Sequence, residues 1–124
     1  MKMQDKVIIN DYIENDPLSE ENLDKTLETV NRFRLSFPNK SIWIYSGYTW
    51  NQVMYPVITD DFNPSRDELL HKRKEIVKQC TVMVDGRYID SQRNPSKKWA
   101  GSNNQRVISI QESIKQGKVV LYCD

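Results

Sequence analysis

The chain has 124 residues, 38% of them hydrophobic, 28% charged and 10% aromatic, which fits one compact domain with a core of its own and excludes a multidomain machine or a disordered chain. Eighteen basic against seventeen acidic residues leave a formal charge of +1, so there is no global electrostatic case for nucleic acid or an anionic membrane as partner. The longest apolar runs, such as those over 81–84 and 119–122, fall far short of the roughly 18 residues that span a bilayer, and the first residues hold no signal-peptide apolar stretch; a soluble, cytoplasmic protein is expected.

In chain order, Val7 to Ile13 reads as an opening strand with Asn10 and Asp11 inside it. Ser19 is then a candidate N-cap, Glu20 and Glu21 suit the positive end of a helix dipole, and Leu23, Leu27, Val30, Phe33 and Phe37 form one helical stripe that Pro38 stops. Ile42 to Tyr45 is apolar at every position, as in a strand covered on both faces. A short helix follows over Thr49 to Tyr55, then a polar turn from Thr59 to Pro64. Ser65 with Glu68 makes a capping box for a second helix, whose stripe is Leu69, Leu70, Arg73, Ile76, Val77 and Cys80.

Thr81 to Val84 is a further apolar strand. Propensity alone makes Asp85-Gly86 a tight hairpin returning through Arg87 to Ile89. Arg87 to Gln105 is long, polar and without periodicity, the kind of loop that carries function or moves. Val107 to Ile110, a helix from Gln111 to Gln116 capped by Gly117, and Lys118 to Tyr122 close the chain as β, α, β. The alternation predicts a single α/β domain over 1–124.

Charge is uneven along the chain. Residues 1–28 hold eight acids against three lysines, whereas 86–106 hold Arg87, Arg93, Lys97, Lys98 and Arg106 against Asp90 alone. With Trp99 at its centre, that stretch has the composition of a docking or phosphate-binding surface; the bland alternative is a solvated loop with Trp99 tucked into the core. His71 has no ligand-spaced neighbour and reads as a surface histidine. Cys80 on the apolar stripe reads as core, and Cys123 has nothing nearby to activate it. Asp60, Asp61 and Asn63 cluster oxygens but lack calcium-loop spacing, so they read as turn residues.

Longer words of the sequence carry a resemblance. Trp-Ile-Tyr-Ser-Gly-Tyr-Thr-Trp over 43–50, Val-Asp-Gly-Arg-Tyr-Ile over 84–89, Asn-Pro-Ser-Lys-Lys-Trp-Ala-Gly-Ser-Asn-Asn-Gln-Arg-Val-Ile over 94–108 and Lys-Val-Val-Leu-Tyr over 118–122 resemble the C-terminal part of the anaerobic (class III) ribonucleoside-triphosphate reductase activating proteins, of the radical S-adenosylmethionine (SAM) family. The resemblance implies a partial radical-SAM-type barrel with mostly parallel strands, here with its N-terminal β/α units missing. It also implies a four-iron four-sulfur cluster that cleaves SAM to raise a glycyl radical on the reductase. The family holds the cluster with three cysteines in C-x-x-x-C-x-x-C, a motif these residues lack. Its Gly-Gly-Asp-Pro-Leu signature stands here as Glu14-Asn15-Asp16-Pro17-Leu18, so Asn15, Asp16 and Pro17 are what remains of the SAM-binding turn.

The expectation is therefore that no cofactor binds this chain alone, and that by itself it is an inactive docking remnant. Arg93, Lys97, Lys98, Trp99 and Arg106 would face the reductase. The alternatives are the C-terminal portion of a catalytic activator whose cluster ligands lie elsewhere, and a phosphate or nucleotide module built on the basic loop. A homodimer through the N-terminal edge strand follows if nothing else covers it. Under the resemblance Asp85-Gly86 ends a strand and leads into the basic loop, and that reading is preferred to the hairpin because Arg87 to Gln105 is too polar for a return strand.

Overall fold

The computed structural model describes residues 6–57, 59 and 61–122. Four strands form one sheet in the order β1 (Lys6–Ile8), β2 (Ser41–Ser46), β3 (Val82–Asp85), β4 (Arg106–Ser109). The first three run parallel and β4 is antiparallel to β3. Four α-helices accompany them: α1 (Leu23–Ser36), α2 (Trp50–Met54), α3 (Pro64–Lys78) and α4 (Ile110–Gln116).

The period-2 geometry of the strands sorts their side chains onto two faces. Val7, Ile42, Ile44, Met83 and Ile108 point to the helices, where they bury Leu23, Val30, Trp50, Val53, Ile76, Val77 and Ile110. Trp43, Val82 and Val84 point the other way, and among the described residues Trp99, Ala100 and Tyr122, none of them helical, pack there. The unbroken apolar run of β2 is thus explained by helices on one side and a loop on the other.

Several sequence expectations are corrected. The opening strand ends at Ile8, and Ile9–Asp11 turn into a 3-10 helix. Asn10 causes the break: its side-chain amide donates to Tyr45 O at 2.9 Å and accepts from Tyr45 N at 2.9 Å, taking over the pairing that backbone would have made. Ser19 does not cap α1; its hydroxyl donates to Asp16 O, and a 3-10 turn over Glu20–Asn22 precedes the helix. Phe37 leaves the apolar stripe at 46% exposure, while Thr26 joins the core.

The cap of α3 is Asn63, whose Oδ1 accepts from Arg66 N at 3.0 Å; Pro64 suits the first helical position, so the helix starts ahead of Ser65. Asp85 ends β3 and Gly86 leads into the basic loop, as the preferred reading expects, and no tight hairpin forms there. Asp85 is 1% exposed and fully engaged, and Gly86 leaves β3 at φ 94° into the loop, whose far end returns as β4. Lys118 to Tyr122 holds an isolated antiparallel bridge between Leu121 and Ile108 rather than a strand. Gly117 caps α4 at φ 69°, as its position predicts.

Candidate functional site

Where the chain leaves the carboxyl ends of parallel strands, the backbone must turn away, and open α/β sheets bind ligands in the crevice so formed. Here that crevice has a volume of about 620 Å³ and is lined by Asp16, Ser46, Tyr48, Gly86, Arg87 and Gln105, among others. Asp16 builds it. Its Oδ1 accepts from Ser46 Oγ at 2.8 Å and Leu18 N at 2.9 Å, and its Oδ2 accepts from Gly47 N at 2.8 Å. One carboxylate thus ties the segment after β1 to the end of β2. A Cβ at Gly47 would stand 3.3 Å from Asp16 Oδ2, a tight contact that would press on the carboxylate.

Asn15 immediately before it has φ 63°, the left-handed region that glycine fills without cost and asparagine tolerates better than other side chains. Glu14 and Asn15 are both exposed. Pro17 is buried beneath them.

The opposite wall is fixed by a second carboxylate that sequence reasoning left as turn or strand-end backbone. Asp85 accepts from Trp50 N at 2.8 Å and from Arg106 Nη2 at 2.7 Å and Nε at 3.2 Å. The bond from Asp85 pushes the Arg106 pKa above its ordinary value against a smaller opposing effect of burial. Burial also pushes the Tyr45 phenol up. On the helix side of the cleft, Arg73 stacks over Tyr48 at 4.4 Å and donates to Leu18 O at 2.8 Å and to Tyr48 Oη at 3.1 Å. No local signal in the sequence announces Asp85 or Arg73, because both act on partners far along the chain.

The basic loop does not gather its charges in one place. Arg106 belongs to Asp85, and Lys97 donates to the backbone carbonyls of Asn103, at 3.0 Å, and of Gln105. Arg93 and Lys98 stand exposed. Trp99 meets Trp43 edge-on at 5.1 Å, and Lys6 Nζ lies 4.1 and 3.9 Å from the two ring centroids. Trp99 is half-buried at φ 71°, an unusual conformation for a bulky residue, and its Nε1 is buried with no partner. Asn104 Nδ2 donates to Arg87 O at 2.7 Å and Gln105 Nε2 to Gly86 O at 3.1 Å, holding the loop's two ends together at the cleft; Asn103 instead accepts from Asn94. Arg93, Lys97, Lys98, Trp99 and Arg106 do not line the cleft that holds Asp16.

The remaining candidates fall to their plain readings. His71 is exposed, 4.0 Å from Glu75. Cys80 is fully buried, its Sγ donates to Ile76 O at 3.3 Å, and burial pushes its thiol up to about 12. Cys123 and Asp60 lie outside the described residues. Asp61 pairs with Arg66 at 3.1 Å, and Asn63 is the helix cap. Among the described residues no group of three or more His, Cys, Asp or Glu could hold a metal ion, and no helix is long and apolar enough to cross a membrane.

These features define an α/β domain with a ligand-sized cleft at the ends of its parallel strands. Residues 14–108 match the family model for the 4Fe-4S single cluster domain, and the chain belongs to that family. It is similar to the anaerobic ribonucleoside-triphosphate reductase-activating protein of Escherichia coli (strain K12), 33% identical over 92 residues, which are 74% of this chain and 49% of that protein. The protein of the same name from Vibrio cholerae is 31% identical over 90 residues, 73% of this chain and 48% of its own length. That of Enterobacteria phage T4 is 29% identical over 100 residues, 80% and 51% respectively. The chain thus spans about half the length of the curated relatives it matches. No solved structure matches it.

The family's cluster does not fit the residues present. A site-differentiated cluster needs three thiolates. The chain has two cysteines, and the described one is a protonated core thiol.

Proposed function

We propose that this chain serves the activation of an anaerobic ribonucleoside-triphosphate reductase as a docking and cleft-forming module that does not itself hold the iron-sulfur cluster. The observation that carries the reading is a strand-end cleft kept in order by Asp16 and the left-handed Asn15, built in a chain whose described thiol is buried away from it. The names of its relatives supply the partner. The three parallel strands are read as a segment of a partial radical-SAM-type barrel, with Asn15, Asp16 and Pro17 at the degenerate cofactor turn. Exposed Arg93 and Lys98 then carry the contact with the reductase; Lys97 and Arg106 shape the surface from behind. The outer edge of β1 offers strand pairing to a second copy.

A second reading has its own support: relatives about twice as long fit a catalytic activator whose cluster ligands lie outside these residues. Anaerobic iron titration of the untruncated natural gene product separates the two, since a cluster there supports the second reading; the docking role is tested on this chain. Under the docking reading, anaerobic iron and sulfide give this chain no cluster, yet it retains a reductase in a pull-down, and Arg93→Glu with Lys98→Glu weakens retention and its salt dependence. A cluster near one per monomer that disappears in Cys80→Ala overturns it, as does retention unchanged by the two reversals.

A further inference from the structure

At the end of the sheet opposite the cleft lies a second concavity of about 550 Å³, where α1 and α3 end and β2 and β3 begin. Its lining includes Arg34, Lys40, Lys78, Ser41, Thr81 and Tyr122, and none of its lining residues among those described is acidic. We propose that this pocket binds a phosphate group, as the free anion or on a nucleotide.

The helix ends set the opposing effect. The carboxyl ends of α1 and α3 bring about half a negative charge each, which would repel an anion. The last carbonyl of α3 and several carbonyls just beyond the two helix ends are already partnered. Arg34 donates to Gln79 O at 3.1 Å, Pro38 O at 3.0 Å and Lys40 O at 2.8 Å, and Gln111 Nε2 donates to Lys78 O at 2.9 Å and Cys80 O at 3.0 Å. With those acceptors satisfied, three formal positive charges face roughly one negative. Lys40 sits 4.6 Å from the Phe37 ring centroid, a contact that leaves its ammonium hydrogens available, and Lys78 stands exposed at the rim.

The floor is polar in the same sense. Ser41 is 9% exposed, and its Oγ already accepts from Trp43 Nε1 at 3.0 Å; Thr81 Oγ1 accepts from Ile42 N at 3.0 Å. Each hydroxyl therefore has its hydrogen left to give. Two hydroxyl donors beneath two ammonium groups, beside a guanidinium that adds its charge while its N–H groups serve carbonyls, and with no carboxylate among the described lining residues, suit a tetrahedral oxyanion. Half-buried Tyr122, whose ring meets Trp43 edge-on at 5.1 Å, borders the pocket where an attached base would lie. None of these residues belongs to the basic loop or to the strand-end cleft, so the pocket stands whether or not the docking function does.

The test is binding of inorganic phosphate and, separately, of adenosine triphosphate to the full chain, read by 31P NMR line shifts and by the rise in melting temperature at matched ionic strength. In the Lys40→Glu/Lys78→Glu variant the affinity is expected to fall at least about tenfold, with the fold intact by circular dichroism. Phosphate and nucleotide binding alike point to the free anion as sufficient; binding of the nucleotide alone, lost in Tyr122→Ala, points to the nucleotide as the source. Either supports the pocket. No binding of either probe at millimolar concentration overturns it, and so does binding that survives the double reversal but is lost in Lys97→Glu/Lys98→Glu.

Discussion

Replacing Arg106 by alanine should damage the fold rather than a docking surface. The Asp85 carboxylate it leaves behind is 1% exposed and retains only the Trp50 and Arg106 backbone N–H groups, at 2.8 and 3.3 Å. Stranding a buried charge costs about 3–5 kcal/mol. The Arg106 side chain is 39% exposed, so solvent screens part of what is lost, and about 2–3 kcal/mol is expected. For a domain of this size that corresponds to a melting temperature lower by roughly 8–15 °C. Urea denaturation of wild type, Arg106→Ala, Asp85→Ala and the double variant closes the cycle. Arg106→Ala should cost at least as much as Asp85→Ala, because the second leaves a guanidinium that can turn to water. The double variant should fall short of the sum by about 1 kcal/mol or more. Arg106→Ala within about 0.5 kcal/mol of wild type, the range of an ordinary surface substitution, would refute the reasoning.

Trp99→Ala should cost about 2–3 kcal/mol, below the range for a fully buried ring, and Trp99→Gly should cost no more than alanine because glycine relieves the positive φ; a glycine variant clearly worse in thermal melts would contradict this. Asn15→Gly should stay within about 0.5 kcal/mol of wild type and Asn15→Val lose about 1–2 kcal/mol; equal stabilities for the two would remove the backbone role of Asn15. Cys80 should resist iodoacetamide in the native chain at pH 8 and react once unfolded, as read by peptide mass mapping. Its thiol ionises near pH 9.0 when unfolded and near 12 when folded, so the unfolded state binds fewer protons between those values and stability should fall as pH rises through that window.

The parts legible in the sequence were those with a period or a dedicated backbone residue. The β2 run, the stripe through Leu23, Val30, Ile76 and Val77, and the Gly117 cap all rest on local spacing, and each stands where its pattern put it. What local patterns missed were side chains that replace backbone or reach across the fold. Asn10 looked like a flaw in a strand and is the group that ends it. Asp85 looked like half of a turn and is the buried post between α2 and β4. Asp16 was legible as part of a signature, but its bonds to Ser46 and Gly47 connect residues thirty positions apart, a distance no periodicity encodes. The basic loop was legible as charge, yet the commitment of Lys97 to carbonyls and of Arg106 to Asp85 takes two of its cations out of solvent-facing work.

The antiparallel register of β3 and β4 also bears on the order in which the chain assembles. Asp85 pairs with Arg106, whereas Trp43 must find Val82 and Lys6 must find Ser41. Closing the 85–106 separation costs less chain entropy than either parallel pairing, by about 0.5 kcal/mol on a logarithmic loop scale. The ion pair sits at the mouth of that loop and would form as the loop closes. This order predicts that removing Arg106 slows folding more than it speeds unfolding, as read from the two arms of a stopped-flow denaturant plot.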